Sequence, residues 1–206
     1  MSFLESLAKY QHRESQLRWE GTFAEYLDIV KADPSVAQHA HARIYQMICD
    51  AGVEHQGTHQ KYKFFESELF GLEEAIQNLV EEYFKPAAER LDVRKRLLLL
   101  MGPVSGGKST IVTLLKKGLE AYTRTDRGRV YAIQGCPMHE EPLHLIPHEL
   151  RQAFMEEYQV RIEGDLCPVC QLRLEEEYNG DIMQFKVERI VFFRGQAERD
   201  RYICSV

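Results

Sequence analysis

Apolar positions three and four residues apart dominate the first fifty residues. Phe23, Tyr26, Leu27 and Val30 make one stripe down a helix, and Thr22 stands where a cap accepts its first free N–H groups. Asp33-Pro34-Ser35 breaks that helix and starts another element. Val36, Ala40, Ile44, Met47 and Ile48 form the next stripe, with Gly52 as its stop. The polar stretch from Glu54 to Lys63, with Gly57 inside it, reads as a linker. Beyond it, Leu72, Ala75, Ile76, Leu79, Val80, Tyr83 and Phe84 repeat the helical spacing as far as Pro86.

The pattern then changes. Leu97-Leu98-Leu99-Leu100-Met101 is apolar without alternation, as in a strand buried on both faces of a parallel sheet. A helix follows from Lys108 towards Tyr122, then a polar turn over Thr123–Gly128 and a strand over Val130-Tyr131-Ala132-Ile133. Strand, helix and strand in that order predict a βαβ unit. The fold class expected is α/β: a three-layer core with a parallel sheet, preceded by a helical N-terminal region over residues 1–60. After Gly135, Pro137, Pro142 and Pro147 interrupt regular structure. Glu149 to Tyr158 predicts a helix and Val187 to Phe193 a strand.

The chain has 206 residues, enough for one medium domain or a domain with an appendage, and enough to bury a core. Its net charge of −6 argues against a general nucleic-acid or anionic-membrane binder, Arg94-Lys95-Arg96 being its compact basic cluster. Met1 to Tyr10 has no apolar run of the secretory kind, and Leu97–Met101 is far too short to span a bilayer. The 5 cysteines are scattered apart from one pair, which fits a reducing cytoplasm rather than a disulfide framework.

The candidate chemistry is concentrated in Gly102-Pro103-Val104-Ser105-Gly106-Gly107-Lys108-Ser109, between the predicted strand and the predicted helix. A loop that closes around phosphates needs backbone N–H groups converging on an anion, and side chains would block that approach. Gly102, Gly106 and Gly107 keep it open, and the helix directs its positive end at the phosphates. Lys108 reaches the β- and γ-phosphates as the catalytic cation, the Ser109 hydroxyl ligates Mg²⁺, and Thr110 follows on the same turn. The cofactors expected are therefore ATP and Mg²⁺.

Longer stretches carry a resemblance. Arg18-Trp19-Glu20-Gly21-Thr22-Phe23, Glu68-Leu69-Phe70-Gly71-Leu72-Glu73-Glu74 and Leu91-Asp92-Val93-Arg94-Lys95-Arg96 run up to the phosphate loop. Gly135-Cys136-Pro137-Met138-His139-Glu140 and Arg161-Ile162-Glu163-Gly164 follow it. Across about Phe3 to Phe193 the chain resembles the N-terminal AAA+-type domain of the bacterial PrkA serine protein kinase family. The resemblance implies an ATP-binding P-loop NTPase module over residues 61–193, incomplete at its C-terminal side, with a divergent tail over 194–206. It implies that Leu69-Phe70-Gly71 contacts the adenine, the alternative being that Phe70 belongs to the core. The family name implies transfer of phosphate to a protein serine, a protein substrate and ring-like homo-oligomers. Members of the family run several hundred residues further, so the chain is expected to be a truncated or frame-shifted product. Neither His-Arg-Asp nor Asp-Phe-Gly occurs in it, so the protein-kinase signature set is absent.

Hydrolysis also needs an acidic residue at the end of a second buried strand. Ala153-Phe154-Met155-Glu156-Glu157 has the letters but lies in a predicted helix, and Ile190-Val191-Phe192-Phe193 ends in Arg194. Two rivals to the kinase reading therefore stand: a nucleotide-gated assembly or partner-binding module, and a small-molecule P-loop kinase. Cys136-Pro137-Met138-His139 and Cys167-Pro168-Val169-Cys170 together offer three sulfurs and an imidazole, a zinc set, with redox or buried structural thiols as alternatives. His139, His144 and His148 read as satisfied histidines, and Glu175-Glu176-Glu177 as a solvated helix face.

Overall fold

The computed structural model describes residues 3–56, 59–91, 98–103 and 106–191. In chain order these form α1 (Phe3–Gln16), β1 (Glu20–Thr22), α2 (Phe23–Ala32), a 3₁₀ turn (Pro34–Ala37), α3 (Ala40–Asp50), and the strands β2 (Val53–Gln56) and β3 (His59–Tyr62). Next come α4 (Glu73–Asn78), a π-helical segment (Leu79–Phe84), α5 (Lys85–Ala88), α6 (Lys108–Tyr122) and β4 (Val130–Ile133). A 3₁₀ turn (Pro142–Leu145), α7 (His148–Tyr158), α8 (Pro168–Glu176), a further 3₁₀ turn (Ile182–Gln184) and β5 (Lys186–Ile190) complete them. None of these helices is long and apolar enough to cross a membrane.

The chain divides into two compact units, one made of Met1–Gln38 with Thr123–Val206 and the other of His39–Tyr122. In the first, α2 begins where its sequence says it should. Thr22 Oγ1 accepts from the Glu25 N–H at 3.3 Å while Glu25 Oε2 accepts from the Thr22 N–H at 2.7 Å, a reciprocal capping box. Phe23, Tyr26 and Val30 are buried on its inner face. The sheet beside it has the order β1-β5-β4. Both pairings are antiparallel, with Gly21 opposite Val187 and Ile133 opposite Val187. The expected parallel βαβ sheet is thus not what the described residues form: β4 takes β5 as its partner.

The second unit packs α3, α4, the π segment and α6 around Ile48, Phe65, Val80 and Phe84. The π segment stands directly ahead of Pro86, whose missing N–H and bulky ring cannot fit a regular helix. Widening the register, with the Lys85 N–H on the Val80 carbonyl, accommodates it. Two expectations are corrected here. Glu54–Lys63 is not a linker but carries β2 and β3, paired from Val53–Tyr62 to Gln56–His59 and braced by a Lys63–Glu54 ion pair of 2.7 Å. Its strands are almost wholly polar, so no apolar alternation marks them. The strand expected over Leu97–Met101 is absent over its described part, residues 98–101. Leu99 is 69% and Met101 83% exposed. A doubly buried strand needs hydrogen-bonded neighbours on its edges, and among the described residues no strand pairs with 98–101.

Candidate functional site

The phosphate-loop sequence lies in the second unit, apart from Val104 and Ser105, which are outside the described residues. α6 opens at Lys108, and the Gly107 carbonyl accepts its first intrahelical bond from Ile111 at 2.9 Å. The N–H groups of Lys108, Ser109 and Thr110 have no intrahelical carbonyl to reach and carry the positive end of the helix dipole. Gly107 has a φ of +77°, and a Cβ there would stand 2.9 Å from Leu72 Cδ1 and 3.1 Å from Leu69 Cδ2. At Gly106 a Cβ would meet the Pro103 carbonyl oxygen at 3.0 Å. A side chain at Gly107 would be strained by that φ and crowded by the two leucines, and one at Gly106 would crowd the Pro103 carbonyl. The Lys108 ammonium folds back to donate to the Gly102 carbonyl at 2.9 Å and the Pro103 carbonyl at 2.5 Å. Ser109 is exposed and Thr110 half-buried.

The segment before α4 supports this loop. Leu69 is buried and, with Leu72, presses on Gly107, but Phe70 between them is 80% exposed. The reading of Phe70 as a core residue is thereby overturned: Leu69 and Leu72 fill the gap, and the ring turns outward. At Gly71 the backbone takes a φ of +73°. The Gly71 N–H donates to Glu73 Oε1 at 3.2 Å. The Glu73 carboxyl is held below its usual range by backbone N–H bonds, first its own and then that of Gly71. The Ala153–Glu157 stretch lies in α7, in a helix as expected, and β4 runs into Gln134 rather than an acid.

A second constellation lies in the first unit. Cys136 opens a turn after β4 in which the His139 N–H donates to the Cys136 carbonyl at 3.1 Å, and the Ile133 N–H to the Glu140 carbonyl at 2.9 Å. Cys167 caps α8, accepting the Cys170 N–H on its sulfur at 3.5 Å, with Pro168 at the first helical position. Arg173 of α8 donates to the Gln134 carbonyl at 2.8 Å and so ties the helix to that turn. As a result the sulfurs of Cys136 and Cys167 stand 3.8 Å apart. These two sulfurs, that of Cys170 and a Glu140 carboxylate oxygen all lie within 4.8 Å of one another.

Of the four zinc candidates drawn from the sequence, three come together. His139, at a φ of +47°, is not in the group, and its neighbour Glu140 is. Glu140 Oε2 accepts the Cys167 N–H at 2.9 Å, and Oε1 meets His144 Nδ1 at 2.7 Å. His144 Nε2 lies 2.7 Å from the Glu163 carbonyl oxygen. Burial pushes the Glu140 carboxyl up, but hydrogen bonds from His144 and Cys167 outweigh it and hold the group below the usual carboxylate range. Burial pushes the Cys167 and Cys170 thiols up. His148 is exposed, 2.7 Å from Asp165. No spacing rule marks a glutamate beside a Cys-x-x-His pair, so Glu140 had no signal in the sequence.

A mixed helix-and-sheet chain with a phosphate-loop sequence opening a helix defines the class. The PrkA AAA domain family model matches residues 21–200, and the chain belongs to that family, which implies a P-loop NTPase fold. The chain is 65% identical over 192 residues to the ATP-dependent protease PrkA of Bacillus subtilis, covering 93% of this chain and 30% of that protein. It is 57% identical over 97 residues to an uncharacterised protein in the gldA 5′ region of Geobacillus stearothermophilus, covering 47% of this chain and 100% of that one. With the serine/threonine kinase YeaG of Escherichia coli it shares 32% identity over 136 residues, 63% of this chain and 20% of YeaG. The chain thus spans about 30% of the length of the Bacillus relative. No solved structure matches it.

Proposed function

We propose that this chain binds ATP with Mg²⁺ through the Gly102–Ser109 loop, as the nucleotide module of a PrkA-type protein. The observation that carries the reading is the start of α6: Lys108 leaves a glycine pair whose Cβ positions are already taken by Pro103, Leu69 and Leu72. In this reading the first-turn N–H groups hold the phosphates and Lys108 exchanges its loop carbonyls for phosphate oxygens. The Ser109 hydroxyl takes the metal, and Phe70 with Gly71 borders the adenine. The nucleotide supplies a transferable γ-phosphoryl group, and the metal neutralises its charge. The cytoplasm is the proposed location, and self-association into a ring the proposed assembly.

For the longer family proteins the activity we put first is phosphoryl transfer to a protein serine. The names of the relatives pull in two directions, an ATP-dependent protease and a serine/threonine kinase. Dependence on ATP is common to both readings. A second reading, nucleotide-gated assembly without turnover, is favoured by the residues after the described strands, Gln134 after β4 and Val191 after β5, neither of them acidic.

Binding of a fluorescent ATP analogue with Mg²⁺, compared between the chain and Lys108→Ala, tests the proposal, with phosphate release read in the same samples. Loss of binding in the variant supports the loop assignment. Phosphate release then favours the enzyme readings, and its absence favours the gate. Equal binding by both chains, or none by either, overturns the proposal.

A further inference from the structure

The geometry points to a structural zinc ion in the first unit, held by the sulfurs of Cys136, Cys167 and Cys170 with the Glu140 carboxylate as the fourth ligand. Zinc–sulfur bonds of about 2.3 Å in a tetrahedron put two sulfurs about 3.8 Å apart. Cys136 and Cys167 already stand at 3.8 Å, with no covalent bond between them. The other two donors complete a group within 4.8 Å. Both cysteine segments are built alike, each a cysteine followed by proline in a tight turn or helix start. In the second, the Cys170 N–H points at the Cys167 sulfur, an arrangement that steadies a thiolate. The α8 N-terminus adds positive potential to the same atom.

Glu140 is held as a ligating carboxylate would be. Its side chain and that of His144 are 9% and 7% exposed. One carboxylate oxygen is fixed by the Cys167 N–H and the other by His144, whose far nitrogen is anchored on Glu163. A carboxylate oxygen has a second lone pair, which leaves room for a metal beside each hydrogen bond. His144 is thus a positioning residue of the kind that orients metal ligands from behind. On binding, each thiol that becomes a thiolate releases its proton to solvent, and the ion joins the turn after β4 to the start of α8. No redox step is involved.

The test begins with the reduced, metal-free 206-residue chain titrated with Co²⁺ and then Zn²⁺. One equivalent of Co²⁺ should give the intense thiolate charge-transfer absorption and visible bands of a tetrahedral three-sulfur site, and one equivalent of Zn²⁺ should erase them. Cys49→Ser should leave both unchanged. Cys170→Ser should lower the charge-transfer intensity by about a third and weaken Zn²⁺ binding more than ~100-fold, beyond the loss expected of an outer-shell residue. His144→Gln should keep the spectrum and weaken binding roughly 10- to 100-fold. Absence of charge transfer in the unaltered chain overturns the site without reliance on any variant, as does an equal response from Cys49→Ser and Cys170→Ser. If His139→Ala abolishes binding and Glu140→Gln preserves it, the fourth ligand has been assigned wrongly and the proposal fails as stated.

Discussion

Lys108 Nζ donates to the carbonyl oxygen of Pro103 at 2.5 Å, so the cation of the phosphate loop is spent on the loop itself. A phosphate must compete for that ammonium, and the lysine's value to binding is the difference between the two partners. A hydrogen bond to a charged group contributes about 1.5–3 kcal/mol, or roughly 10- to 150-fold in affinity. Lys108→Met should therefore weaken binding of the ATP analogue by at most that factor, measured by fluorescence titration. Its unfolding midpoint in urea should stay close to that of the parent chain, because the bonds it loses are at the surface. A variant that unfolds readily would show that the lysine holds the loop together instead.

Gly107 and Gly71 offer a matched comparison. Both have positive φ, +77° and +73°, but a Cβ at Gly107 meets Leu72 and Leu69 while one at Gly71 meets nothing within 4 Å. Left-handed backbone costs a residue with a side chain about 1–2 kcal/mol. Gly71→Ala should lose about that much stability. Gly107→Ala should lose more and lose nucleotide binding too, since the leucines or the loop must move. Urea denaturation of both variants reads the difference, and equal losses would mean that the leucines give way freely.

Phe70 and Phe65 lie in one short segment with opposite environments, 80% and 1% exposed. Truncating a buried phenylalanine costs about 3–5 kcal/mol. Phe65→Ala should therefore destabilise the chain by that amount. Phe70→Ala should leave stability almost unaltered and, if its ring stacks on a base, reduce affinity for ATP by the equivalent of about 1–3 kcal/mol. Unchanged affinity for ATP together with unchanged stability would remove Phe70 from the binding site.

What the sequence could reveal depended on whether the cause of a structure is local. The α2 helix was legible because Thr22, Glu25 and the Phe23–Val30 stripe act within three or four residues of each other. The start of α6 at Lys108 was legible because the glycine pair that precedes it adjoins the lysine in the chain. Residues 98–101 looked like a buried strand because strand character was inferred from apolarity alone, whereas a strand needs partners elsewhere in the chain. β2 and β3 were missed for the opposite reason: they have partners but little apolar content. Three members of the thiol group could be named from their spacing. Glu140 could not, because a turn closed by Ile133 and a hydrogen bond from a residue 27 positions away decide where its carboxylate points.

The capping box at the start of α2 makes a prediction whose sign depends on pH. Glu25 is held below the ordinary value of 4.5 chiefly by the Thr22 backbone N–H, and next by the Thr22 side chain. A carboxyl whose folded value is lowered contributes stability above its unfolded value and loses it as pH falls through the folded one. The stability difference between the parent chain and Glu25→Gln should therefore be flat from neutral pH down to about 4.5. Below that it should shrink, as Glu25 protonates and becomes as uncharged as the glutamine that replaced it. Thr22→Ala removes the other half of the box and should cost about 1 kcal/mol at neutral pH. Urea midpoints collected along a pH series decide the matter. If the Glu25→Gln difference persists undiminished well below the ordinary glutamate range, the charge of the carboxylate is not what starts this helix.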